Sequence, residues 1–232
     1  MLGLLITSRM RKHILLFTLL LSASSAFAQT PQQWRDSVST LIEEIRLNPR
    51  STDLRLRKAE ANINLRQWEY AIEEYGSVLR LDEHNLAALY FRAFCQTQLR
   101  HYDLAKNDYD AFLALQPRHL EARLGLAHVL QKMGRKADTF DELNQIVQMF
   151  PDSADAYAAR AAYETEQKLY DVAAYDWEEA IRLQPKNADY VVSKVDVLLQ
   201  QGNFAEARET LNAAVRRGIP RGLLKEWFDK CK

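Results

Sequence analysis

The strongest constraint in this sequence is a stop signal that recurs at fixed spacing. In ALQPRH (Ala114 to His119) a helical-looking run meets Pro117, which removes a backbone donor and clashes with the preceding turn. Nearly the same phrase returns as RLQPKN (Arg182 to Asn187) and is foreshadowed by LNPR (Leu47 to Arg50). Pro117, Pro151 and Pro185 fall 34 residues apart, and Pro49 lies twice that distance ahead of Pro117. A fixed period of about 34 residues is one helix-turn-helix unit, too small to bury its own apolar stripe, so each unit must stack on its neighbours. The predicted fold is all-α, an open solenoid of antiparallel helix pairs.

Numbering each unit so that its stop falls at position 32 gives five full units, beginning at Thr52, Leu86, Leu120, Ala154 and Ala188. Position 20 then holds Ala71, Ala105, Thr139, Ala173 and Ala207, and position 8 holds Ala59, Ala93, Ala127, Ala161 and Val195. Small side chains in two such columns allow two helices to cross closely. One turn after position 20 stand Tyr75, Tyr109, Leu143, Trp177 and Leu211, followed by Leu79, Leu113, Val147, Ile181 and Val215: the buried stripe of a second helix. Gly134 and Gly202 are placed to end first helices. Trp34, Leu41, Ile45 and Leu47 continue the register ahead of Pro49 as an incomplete opening unit.

The chain ends divide accordingly. Residues 1–28 read as a secretory signal peptide, with Arg9, Arg11 and Lys12 ahead of the apolar run Ile14 to Leu21 and small residues Ala26 and Ala28 before the expected cut. Met10 is an alternative start. The mature chain would begin at Gln29 with no Cys after the cut, which closes the lipoprotein route and predicts a periplasmic or secreted protein without a transmembrane segment. Residues 29–51 form an N-terminal capping half-repeat, 52–219 the five repeats, and 220–232 a C-terminal capping helix presenting Leu223, Leu224, Trp227 and Phe228. Basic residues around that helix, Arg216, Arg217, Arg221, Lys225 and Lys230, leave peripheral envelope or partner contact open.

Charge and chemistry exclude several function classes. Thirty-one cations against 31 anions give no field to draw the chain to nucleic acid. No phosphate-binding loop, nucleophile elbow or zinc-protease motif occurs, so no catalytic residues and no cofactor are expected. His84, His101, His119 and His128 show no ligand spacing, and no metal site is expected. Cys95 and Cys231 lie units apart, too far for a disulfide, with Cys95 in a core column. Basic position 7 faces acidic position 23 as Lys58 with Glu74, Arg92 with Asp108, and Arg160 with Asp176, predicting repeated ion pairs, each worth about 0–1 kcal/mol if exposed.

In its second-helix half the chain resembles the tetratricopeptide repeat family, through AIEEY (Ala71 to Tyr75), AKNDY (Ala105 to Tyr109) and AAYDW (Ala173 to Trp177). Asn62, Gln96 and Glu164 depart from the family's large apolar residue at position 11, Glu83 replaces a stop proline, and the third unit lacks its Ala and aromatics. The resemblance implies a right-handed superhelix that binds a protein or peptide partner on its concave face without catalysis. The alternative is a structural subunit of a cell-envelope or outer-membrane assembly complex. The carboxylate clamp of chaperone-binding members is missing: Leu56, Glu60, Phe91, Glu121 and Gly125 stand at its positions. The expected partner site is a shallow hollow over Gly125, Ala159 and Ala162, walled by Phe91, Phe94 and His128, with Gln98 and Gln131 at its edge.

Overall fold

The computed structural model describes residues 29–231. Within them lie α1 (Pro31–Leu47) and five antiparallel hairpins: α2 (Thr52–Asn64) with α3 (Trp68–Leu79), α4 (Leu86–Gln98) with α5 (Tyr102–Leu115), α6 (Leu120–Lys132) with α7 (Lys136–Met149), α8 (Ala154–Glu166) with α9 (Tyr170–Leu183), and α10 (Ala188–Gln200) with α11 (Phe204–Arg216). A 3-10 turn (Arg221–Leu224) and α12 (Lys225–Lys230) follow. Every full unit opens its first helix at the expected residue. The predicted C-terminal helix is instead this turn-plus-helix pair.

The alanine columns do what close crossing requires. Ala59 and Ala71, Ala93 and Ala105, and Ala161 and Ala173 are fully buried where the helices of a hairpin meet. First helices of successive units also touch one another, α2 with α4, α4 with α6, α6 with α8 and α8 with α10, whereas second helices stand farther apart. First helices therefore form the inner wall and second helices the outer one. In the third unit Thr139 replaces the alanine and is accommodated buried, its hydroxyl donating to the Arg135 carbonyl at 2.8 Å. The junction from α7 to α8 is nevertheless thinner than the others.

Side chains at the unit boundaries set the helix ends. The residue before each first helix, Ser51, Asn85, His119, Ser153 or Asn187, accepts a backbone N–H from the first turn. Glu83 does not prolong α3. That helix ends at Leu79, and Asp82 takes over the stop, accepting from the His84 backbone N–H at 3.2 Å and from Asn85 Nδ2 at 3.1 Å.

All three predicted ion pairs form, with closest approaches of 2.7 Å for Lys58–Glu74 and 2.6 Å for both Arg92–Asp108 and Arg160–Asp176. They are not surface pairs: Glu74, Asp108 and Asp176 are buried. Removing Arg92 or Arg160 would strand a desolvated carboxylate, an effect of about 3–5 kcal/mol for fully buried pairs and less where the cation keeps some solvent, whereas Glu74 would keep a second cation, Arg55 at 2.8 Å. The third unit keeps the device with a shifted cation, Arg123 on Glu142 at 2.8 Å.

The ends are capped, with two corrections. Leu41 of α1 is buried and Trp34 and Ile45 are half-buried, but Leu47 is 70% exposed. At the C-terminus Leu224 and Trp227 are buried and Phe228 half-buried, while Leu223 points to solvent. Trp227 Nε1 donates to Asp196 Oδ1 at 2.8 Å, tying the cap to α10. Cys95 and Cys231 are unbridged and buried, Cys95 as the expected small core residue.

Position 15 adopts left-handed backbone in every unit, with φ of 58° at Arg66, 63° at Arg100, 72° at Gly134, 62° at Lys168 and 74° at Gly202. A Cβ there costs roughly 1–2 kcal/mol. Gly134→Ala is expected to lower stability by about 1 kcal/mol, and Arg100→Gly to raise it by less, because glycine also loosens the unfolded chain. Urea midpoints measured at unchanged m-value check both signs.

Candidate functional site

The inner wall is an extended surface built from the first helix of every unit, and the predicted site residues lie on it in α4, α6 and α8. The structure divides them. Phe91 keeps 36% exposure, stacked on Tyr75 at 6.1 Å between centroids and edge-on to Tyr90 at 5.1 Å. Its ring is thus presented to solvent in a fixed pose. Phe94 is half-buried, packed edge-on against Trp68 at 5.8 Å, and serves the core between the first and second units. Gln98 is exposed at the end of α4.

Gly125 does not open a hollow. A Cβ built there would lie 2.6 Å from Tyr109 Cζ and 2.7 Å from its hydroxyl oxygen, so the space left by the missing side chain is already filled by the tyrosine of the preceding hairpin. The mid-helix glycine is explained by packing rather than by a guest, and the predicted hollow is corrected accordingly. Ala159 and Ala162 are likewise half-buried among apolar neighbours, Ala159 in the cluster holding Leu143 and Ile146, and Ala162 in that around Trp177.

His128 and Gln131 sit beyond Gly125 on α6. Desolvation first, and the nearby Lys132 second, push the His128 imidazole down to about 4, and its buried Nδ1 has no hydrogen-bond partner. It is neutral at physiological pH and adds no charge to the wall. Gln131 Nε2 donates to Glu166 on α8, bridging two units along the wall.

Beneath the wall runs a polar stripe that sequence reading marked only as departure from pattern. Asn62, Gln96 and Glu164, all at position 11, are buried, and each leaves one side-chain atom unpaired: Nδ2, Oε1 and Oε2 respectively. Glu164 is the most perturbed. Desolvation, then the Asp176 carboxylate that already holds Arg160, push its carboxyl up to about 7, against the partial counterpull of Arg160. Among the described residues no group of acids, histidines and cysteines is arranged to hold a metal ion, and no helix is long and apolar enough to cross a membrane.

The tetratricopeptide repeat profile matches three overlapping windows, residues 96–154, 124–188 and 158–222, which together cover more than half of the chain, and the protein belongs to that family. Its proteins are protein-interaction modules, and scaffolds of this fold are in general non-enzymatic. The chain is 31% identical over 156 residues to DnaJ protein P58IPK homolog B of Oryza sativa subsp. japonica, a match that covers 65% of this chain and 32% of that protein. It thus spans about a third of that relative's length. A solved tetratricopeptide repeat protein from Parabacteroides merdae superposes with a TM-score of 0.62 at 20% identity, covering 86% of this chain and 78% of the other. YrrB, described as a TPR protein with an unusual peptide-binding site, superposes with a TM-score of 0.58 at 17% identity, covering 82% and 97%. At these identities the structures establish the fold.

Two outcomes follow. Gly125→Ala is expected to cost about 1–2 kcal/mol, because overpacking against Tyr109 outweighs the gain in helix propensity. Tyr109→Leu should relieve that clash, so a double-mutant cycle should show favourable coupling of about 1 kcal/mol or more between the two substitutions. For Glu164 the folded-state value lies above the unfolded one of 4.5, so its protonated form supports the fold fully below pH 4.5 and that support is lost as pH rises through 7. Glu164→Gln is therefore expected to flatten the stability profile between those limits and to be more stable than the parent at pH 8.5 by about 2–3 kcal/mol, read from urea titrations at each pH.

Proposed function

We propose that the protein is an exported, non-catalytic binding module whose inner wall receives an extended segment of a protein or peptide partner. One observation carries this reading: Phe91 remains substantially exposed on the wall while Tyr75 and Tyr90 hold its ring in place. An aromatic fixed in this way contributes contact area at little cost in rotamer freedom. Gln98 at the end of the same helix and the Gln131–Glu166 bridge on the wall supply polar groups for a bound backbone. Phe94, His128, Ala159 and Ala162 form the supporting surface around them, with Gly125 serving the packing beneath. YrrB, a structure of the same fold described as having a peptide-binding site, supports the mode of action. Export rests on the charged, apolar and small-residue pattern of residues 1–28, which lie outside the described residues.

The test is site-specific photocrosslinking in the native compartment. A benzoylphenylalanine at position 91 or 98 is expected to capture a discrete partner, whereas the same probe at the outward-facing Tyr70 or Tyr175 is not. The recovered protein should begin at Gln29. Phe91→Ala is expected to weaken the captured interaction at least tenfold, about 1.4 kcal/mol. Crosslinks only from Tyr70 or Tyr175 would place the partner on the outer wall and sink the reading.

A further inference from the structure

A further concave feature lies far from the inner-wall aromatics. A groove of about 570 Å³ lies between α11 and the C-terminal cap, lined chiefly by Arg208, Asn212, Arg221, Lys225, Phe228 and Asp229. Three cations share it with a single carboxylate. Elsewhere on the same elements the basic residues are held by acids of their own helix, Arg216 by Glu209 at 2.6 Å and Lys230 by Glu226 at 2.7 Å. The groove cations are arranged differently. Arg208 is anchored by donating from Nη2 to the Cys231 carbonyl at 2.9 Å. The Arg221 guanidinium carbon stands 3.9 Å from the centre of the Phe228 ring. A guanidinium held over an aromatic face satisfies its flat side and leaves its N–H edge directed outward, the geometry that grips a carboxylate through two parallel hydrogen bonds.

We propose that this groove is a second binding site, which takes an acidic segment of a partner protein through its carboxylates. Charge complementarity selects the occupant: an excess of two positive charges in a recess that also offers the Phe228 ring and the Asn212 amide. A bilayer surface fits less well, because a recess excludes a flat sheet of headgroups. The proposal is independent of the inner-wall reading, since the groove shares no residue with it.

Fluorescence anisotropy on the chain from Gln29 onward tests it, with a labelled peptide of alternating Glu and Gly as the probe. The Glu peptide is expected to bind at least tenfold more tightly than its Gln counterpart, and to weaken as salt is raised from about 50 to 300 mM. Arg221→Gln with Lys225→Gln should reduce binding at least tenfold, Arg221→Lys should be intermediate because it keeps charge without the stacked fork, and Arg216→Gln should leave it unchanged. All these side chains are exposed, so thermal melts of the variants should match the parent, and Phe91→Ala should have no effect on this peptide. Equal binding of the Gln peptide, or undiminished binding by the double variant, would overturn the proposal. So would complete displacement of the peptide by inorganic phosphate at equal concentration, or binding to phosphatidylserine vesicles without binding to the peptide.

Discussion

Everything in this molecule depends on how closely the two helices of each hairpin can approach. The crossing residues Ala59 and Ala71, Ala93 and Ala105, and Ala161 and Ala173 are sealed from solvent. A larger side chain on either helix would push the pair apart and lift the large residue one turn further on, Tyr75, Tyr109 or Trp177, out of the groove it fills. That residue makes the next joint. Tyr109 reaches under α6 and takes the place of a Cβ at Gly125, so a small residue in one unit is the seat for a large residue from the unit before. Alternation of small and large side chains therefore builds the hairpin and its stacking together, with neither separable from the other.

The same close packing explains why polar groups beneath the wall are consequential. The hairpin ion pairs lie where the helices of one unit face each other, and their carboxylates are withdrawn from water with the cations as cover. Arg160 also lies 3.9 Å from Glu164 and hydrogen-bonds Asn144 at 3.0 Å, so it serves two acids and an amide from one guanidinium. One cation does not stabilise two ionised buried carboxylates fully, and the surplus acid, Glu164, holds its proton up to about pH 7. Asn62 and Gln96 occupy the equivalent place without a charge, each with one atom unpaired. Buried polar groups of this type reduce stability relative to apolar ones of the same size, and here they recur at one position of the repeat.

What was legible in the sequence follows from what is periodic. The stop prolines, the alanine columns and the charge columns repeat because each unit solves the same packing problem, and they located the helix starts and the three ion pairs. Burial of those pairs was not legible, since a charge column looks alike on a solvated face and against a neighbouring helix. The helix-start column Ser51, Asn85, His119, Ser153 and Asn187 was present as a signal, obscured by His119 among better-known capping residues. The left-handed turns at Arg66, Arg100 and Lys168 were visible only by aligning them with Gly134 and Gly202. Gly125 was misread because its partner, Tyr109, belongs to the preceding unit, and a contact 16 residues back is not encoded in the pattern of α6 alone.

The candidate sites are the least periodic parts, and the reason is physical. A residue that serves stacking meets the same constraint in every unit and is held to a narrow range of size and polarity. A residue on the inner wall is held to a wider range, and the column of Phe91 reads Arg57, Phe91, Gly125, Ala159 and Ser193 from unit to unit. Phe91 stands out because it is large where the next units carry Gly125, Ala159 and Ser193. The C-terminal groove is more singular still, for it exists only where stacking stops and the cap must turn back over α10 and α11. Architecture thus comes from what the units share, and recognition from what each does alone.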